Sequence, residues 1–222
     1  MTARHAAVDP ASALGTDRVR YERARRLILD DVTVAAYPGQ VLAVTGPSGS
    51  GKSSLLALLA GLERPDAGTV YRSAPTPEEG VPPGYGLVLQ GYGLVSVLTA
   101  AENVEVVLQG QRVDRNEVRD RAEDVLEAVG LADVADHLVE QLSGGQQQRV
   151  AIARALVTGP EVLLADELTA ELDHVSRQRV LERVFALAEA GSTVVLCTHD
   201  PELASSCHRE IHLTNGTVTA RR

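Results

Sequence analysis

The residues Gly46-Pro47-Ser48-Gly49-Ser50-Gly51-Lys52-Ser53 carry the strongest chemical signal in the chain. They fit the pattern G-x-x-x-x-G-K-[ST], which cradles phosphates. Glycines let the backbone curl so that successive N–H groups face inward, and a helix starting after them adds the positive end of its dipole. In such a loop Lys52 reaches the β- and γ-phosphates of a nucleoside triphosphate, and the Ser53 hydroxyl ligates Mg²⁺. Gly46, Ser48, Gly49, Ser50, Gly51 and Ser54 complete the cradle. The bland alternative is an ordinary Gly-rich turn. Against it, Lys52 is the only lysine in a chain whose Lys and Arg together number 21, and it falls on the one position that demands lysine.

A triphosphate site needs a second acid for its metal. Val162-Leu163-Leu164-Ala165-Asp166-Glu167 is an apolar run ending in two carboxylates. Asp166 can hold Mg²⁺, directly or through water. Glu167 is then placed to polarise the attacking water or take its proton. Many strands end in acids, so this pair gains meaning only downstream of the phosphate loop. A third segment, Leu142-Ser143-Gly144-Gly145-Gln146, precedes QQRVAIARAL. Ser143 is a good N-cap, and the two glycines expose backbone N–H groups at a helix start. That is a second anion-binding end. One nucleotide does not need two, so the second is expected to serve the nucleotide of another copy in a head-to-tail dimer.

These groups need a scaffold. The 222 residues are 44% hydrophobic, enough for a sizeable core. Short apolar runs at 41–45, 162–166 and 193–197 read as buried strands, with helices expected at Lys52–Leu62, Gln146–Val157 and His174–Ala190. Alternating strands and helices predict a mainly parallel sheet covered on both faces. Residues 26–36 read as a strand or strand pair. Between about 91 and 140 the pattern turns helical, which predicts a helical subdomain inserted into a core of about 17–90 and 141–222. Residues 1–16 read as a disordered tail, and Ser73–Gly84 as a Pro/Gly-rich surface loop.

The formal net charge is −9, which disfavours sequence-independent nucleic-acid binding. Cys197 and Cys207 have no metal-ligand spacing and read as reduced, buried thiols. The longest apolar run, Leu55 to Leu62, is far short of the roughly 18 residues a membrane span needs. The first residues lack an apolar signal core. A cytoplasmic chain is expected.

In combination, these motifs resemble the ATP-binding subunit of ABC transporters. LSGGQ resembles their signature motif, GPSGSGKS their Walker A and VLLADE their Walker B, and the resemblance spans about residues 19–220. It implies an α/β P-loop NTPase core with an N-terminal antiparallel β subdomain and an inserted helical subdomain. It implies further roles. Gln90 resembles the Q-loop glutamine, which contacts Mg²⁺ and the water and senses the membrane partner. His199 resembles the switch histidine that contacts the γ-phosphate. Asp173 resembles the D-loop aspartate that, with Ser143, Gly144, Gly145 and Gln146, serves the nucleotide across the dimer. Tyr21, placed 25 positions before Gly46, resembles the aromatic that stacks on adenine.

The resemblance implies ATP and Mg²⁺ as ligands, a homodimer when ATP is bound, a separate transmembrane permease chain, and a place at the cytoplasmic face of the membrane. The stretch GLVSVLTAAENVEVVL is similar to the subfamily of lipoprotein release, macrolide efflux and mechanotransmission. Two departures stand out. Leu168 follows Glu167 where the family usually has Pro, and Ser73–Gly84 is shorter and more Pro-rich than the usual lead-in to the Q-loop. A non-transport ABC ATPase acting on DNA or ribosomes is the alternative. The single cassette, the absence of room for long coiled coils and the acidic charge weigh against it. LSGGQ and His199 weigh against a plain P-loop kinase or GTPase.

Overall fold

The computed structural model describes residues 14–72, 82, 84–109 and 113–222. In chain order the elements are β1 (Leu14–Arg23), β2 (Arg26–Ala36), β3 (Val41–Thr45), α1 (Lys52–Ala60), β4 (Ala67–Tyr71) and β5 (Tyr85–Val88), then α2 (Ala100–Glu105), α3 (Arg115–Ala128) and α4 (Gly144–Leu156). They continue with β6 (Val162–Asp166), α5 (His174–Glu189), β7 (Thr193–Cys197), α6 (Pro201–Ser206), β8 (Arg209–Thr214) and β9 (Thr217–Arg221).

Two sheets form. The larger has the order β5-β6-β7-β3-β8-β9, and its first five strands run parallel. Only β9 is antiparallel, returned by the Asn215–Gly216 turn that the sequence signals. The smaller sheet, β2-β1-β4, is antiparallel throughout. This is the α/β architecture expected, with the antiparallel sheet beside the parallel one.

Alternation along the central strands divides the interior. Val41, Ala43, Leu163, Ala165, Val194 and Leu196 face a core shared with α2, α3, α4 and α5. Leu42, Val44, Val162, Leu164, Val195 and Cys197 face a second core with α1, β1 and β2. A period of two along a strand buried on both sides produces this division. The helices start where their caps dictate. Thr99 and Glu102 form a capping box at α2, and Asp200 caps α6 ahead of Pro201.

Some boundaries differ from the sequence expectation. Leu14–Thr16 are the buried start of β1 rather than tail, with Thr16 Oγ1 donating to Val32 O at 2.9 Å. Residues 1–13 and most of the 73–84 loop lie outside the described residues. Helix α4 begins at Gly144, two residues before the expected start, because Ser143 and Gln146 close a reciprocal capping box.

Candidate functional site

The site lies along one edge of the parallel sheet. Val44 pairs with Cys197, and Cys197 with Asp166, so the ends of β3, β7 and β6 are level. Val88 pairs with Ala165, which brings the exposed Gln90 to the same edge, just beyond β5. Such carboxyl edges are where open parallel sheets take ligands.

The phosphate loop leaves β3 and curls back under close neighbours. A Cβ on Gly46 would strike the Leu213 carbonyl, and one on Gly51 would stand 2.6 Å from Leu29 Cδ2, so side chains are excluded at both. Both glycines have positive φ, 142° and 103°, a region costly for L residues. Within the loop Lys52 is 8% exposed, and its Nζ donates to Gly46 O at 2.8 Å and Pro47 O at 3.1 Å. Ser48 and Gly49 are exposed, while Ser50 is buried and its Oγ has no hydrogen-bond partner. A buried, unpaired hydroxyl in a glycine cradle is a polar group suited to meeting a polar ligand. Ser53 and Ser54 follow Lys52 in the first turn of α1.

Asp166 is 7% exposed. Burial pushes its carboxyl pKa up, opposed by a hydrogen bond from Ser53 and by Lys52. A desolvated carboxylate beside a hydroxyl is a hard-oxygen donor pair suited to Mg²⁺. Next in the chain, Glu167 takes the left-handed conformation at φ 52°. Its N–H donates to Cys197 O at 3.0 Å, and its carbonyl accepts from Gln148 Nε2 at 2.8 Å. Held so, its carboxylate Oε1 lies 2.9 Å from His199 Nδ1. His199 follows β7 and its side chain is 72% exposed, so the ring faces solvent rather than core.

The Ser143 end of α4 lies apart from the loop, on the other core. Ser143 Oγ accepts from Gln146 N at 3.3 Å, and Gln146 Oε1 accepts from Ser143 N at 2.8 Å. Ser143 and Gly144 are exposed. Both glycines of this turn admit Glu171. Its carboxylate lies against Gly144, and its carbonyl is 2.6 Å from where a Cβ on Gly145 would be. Asp173 caps α5, accepting from Val175 N and Ser176 N at 3.0 Å. These bonds hold its carboxyl pKa below the usual carboxylate range, with the Ser176 hydroxyl contributing most.

Tyr21 is not at a free surface. The β1 alternation sends Val19 and Tyr21 inward with Leu29, and Tyr21 is 5% exposed. Three further residues that build the site leave no local signal in the sequence. Gln148 is 2% exposed and bridges Glu167 O to Glu171 N, whose bond to Oε1 is 3.1 Å. Arg154 donates from Nη2 to Tyr92 O and from Nη1 to Gly93 O, each at 2.7 Å, fixing the segment after Gln90 to α4. Asn103, fully buried, binds Val95 N, Val95 O and Thr99 O, and so shapes the turn that presents Val95 and Val97.

The family model for ABC transporters matches residues 29–170. The chain is 40% identical over 200 residues to the macrolide export ATP-binding/permease protein MacB of Salmonella choleraesuis, covering 86% of this chain and 31% of that protein. It is 39% identical over 204 residues to MacB of Hahella chejuensis, again over 31% of that protein. The chain thus spans under a third of these curated relatives. Among solved structures it matches the dimeric MJ0796, a bacterial ABC transporter cassette, with a TM-score of 0.84, 33% identity and coverage of 94% of this chain and 97% of that one. A post-hydrolysis MJ0796 dimer bound to ADP and Pi matches at 0.83. By its motifs, its fold and these relatives together, the chain belongs to the ABC transporter family, as an ATPase cassette.

Proposed function

We propose that this cassette binds Mg-ATP in the Gly46–Ser54 loop, closes on a second copy of itself and, through hydrolysis, drives a membrane-spanning permease on a separate chain. The observation that carries the reading is spatial. The phosphate loop, Asp166, Glu167 and His199 share one sheet edge, while a second capped helix end at Ser143 stands exposed on α4. Two anion-binding helix ends in one chain are explained if the loop holds the chain's own nucleotide and the Ser143 end completes the site of another copy. The dimeric MJ0796 cassettes support this reading.

In the closed pair, Lys52 neutralises the β- and γ-phosphates, and loop N–H groups hold them in line. Ser53 and Asp166 would hold Mg²⁺, with Gln90 at the same edge; the ion supplies charge neutralisation on the phosphates. Glu167 takes the proton of the attacking water. His199 orients that carboxylate through Nδ1 and offers Nε2 to the terminal phosphate. Ser143, Gly144, Gly145 and Gln146 of the second copy, with Asp173 at the junction, cap that phosphate. Catalysis here is positioning and charge stabilisation rather than covalent work.

Exposed valines support a permease contact. Val95, Val97, Val106 and Val107 are 43%, 76%, 40% and 37% exposed, all within the segment after Gln90. No helix among the described residues is long and apolar enough to cross a membrane. In this reading the cassette sits at the cytoplasmic face, bound to its permease, with no role for nucleic acid. An amine-reactive label at Lys52, read by peptide mass, tests the loop: Mg-ATP protects it, and labelling indifferent to nucleotide refutes the site. Capture from mild detergent tests the partner: a multi-span chain co-purifies, and a ribosomal or DNA-associated partner instead refutes transport.

A further inference from the structure

We propose that Glu171 is a positioning residue that stands in for a phosphate at the amino end of α4: its carboxylate rests in cis against Gly144 and must yield when a second copy presents its nucleotide there. The inference deepens the dimer reading above and rests on it. Glu171 lies between the catalytic Glu167 and the cap of α5, on a segment that crosses the start of α4. A Cβ on Gly144 would collide with Glu171 Oε2, so the carboxylate touches the helix end itself. The backbone cannot drift away, because the Glu171 carbonyl lies over Gly145 and its N–H is held by Gln148 Oε1 at 3.1 Å.

Chemistry gives this contact a sign. The first turn of a helix has unpaired N–H groups and a partial positive charge, so an anion is stabilised there. The Glu171 carboxylate lies against Gly144 of that first turn without bonding to its N–H groups, so it acts there through charge alone. A terminal phosphate brought to the same helix end meets a carboxylate already on it, and like charges a few ångströms apart repel. Closure on ATP therefore requires Glu171 to swing outward, which its exposed side chain permits. Once hydrolysis has removed the terminal phosphate from that position, the carboxylate returns and favours opening.

The segment after Gln90 reaches the same carboxylate. Tyr92 takes φ 58°, and Arg154 pins its carbonyl at 2.7 Å. Its hydroxyl pKa is pushed up to about 12, first by burial and then by Glu171 beside it. The Tyr92 hydroxyl thus helps keep Glu171 seated, and displacement of that segment releases it.

The test uses the full chain carrying Glu167→Gln, in which ATP persists, and measures the dimer dissociation constant by sedimentation with Mg-ATP. Adding Glu171→Gln or Glu171→Ala should tighten the dimer about tenfold. The gain should shrink in high salt, and Mg-ATP binding by the isolated subunit should not share in it. A merely structural role for Glu171 predicts the opposite: a weaker dimer and a lower melting temperature in both variants. If the Glu167→Gln parent dimerises with ATP and the Glu171 variants dimerise equally or less well, the inference is overturned while the dimer reading stands. If the parent forms no dimer with ATP, the dimer reading falls and takes the inference with it.

Discussion

His199 Nδ1 lies 2.9 Å from Glu167 Oε1, although the two residues end different strands and are separated by 32 positions. With its proton on Nδ1 the imidazole donates to the carboxylate and leaves Nε2 free. Glu167→Gln should lower ATP hydrolysis about 10²–10⁴-fold, the usual share of a general base. His199→Ala should lower it by a smaller factor, because the carboxylate remains and only its orientation is lost. Steady-state phosphate release measures both, and unchanged hydrolysis in Glu167→Gln would remove that residue from the chemistry.

Asp166 gives a prediction of opposite sign for stability and function. Burial raises its folded pKa above 3.8. The folded state therefore holds a proton on it more tightly than the unfolded chain does. The ionised form destabilises the fold at pH values above the raised pKa, and that burden is relieved as pH falls through it. Asp166→Asn should raise the melting temperature of the nucleotide-free protein at neutral pH and abolish Mg-dependent hydrolysis. A variant with a lower melting temperature would contradict the burial argument.

The two glycines at the start of α4 should differ. Gly144 faces the far end of a flexible side chain, whereas a methyl carbon added at Gly145 would stand 2.6 Å from the Glu171 carbonyl oxygen. Gly144→Ala should be tolerated in thermal melts. Gly145→Ala should cost about 1–3 kcal/mol, because backbone rather than a side chain must shift. Equal melting temperatures for the two would refute the packing.

Gln148 carries a further test. Gln148→Ala leaves the Glu167 carbonyl and the Glu171 N–H without their partner. Loss of such a buried bond costs about 1–3 kcal/mol. Hydrolysis should fall more than stability alone explains, since Glu167 sits on that carbonyl. Thermal melts and turnover, compared with Gln148→Glu, separate the two effects.

Both thiols should be inert. Burial raises the Cys197 thiol well above its ordinary value and pushes Cys207 up to about 11. The thiolate is the reactive form. A disulfide reagent at pH 8 should therefore modify neither in the folded protein and both after denaturation. Rapid native labelling would show that β7 or α6 opens readily.

Much of this was legible in the chain. The phosphate loop, the acid pair after an apolar run and the Ser143 cap all read directly, because each depends on neighbours within a few positions. The parallel strands read from their apolar runs. What did not read depends on distant partners. Gln148 is the last of three consecutive glutamines, Gln146, Gln147 and Gln148, and only packing makes it the buried one. The pairing of β4 with β1 crosses β2, β3 and α1 in the chain and leaves no local mark. The buried setting of Tyr21 was half-visible, since Val19 and Tyr21 alternate with Arg18, Arg20 and Glu22.

One amide side chain, that of Gln148 on α4, joins the Glu167 carbonyl to the Glu171 N–H. In the proposed dimer, a displacement of α4 would reach the Glu167 backbone through Gln148. If the proposed dimer forms through α4, contact with the second copy and the setting of Glu167 depend on that same amide.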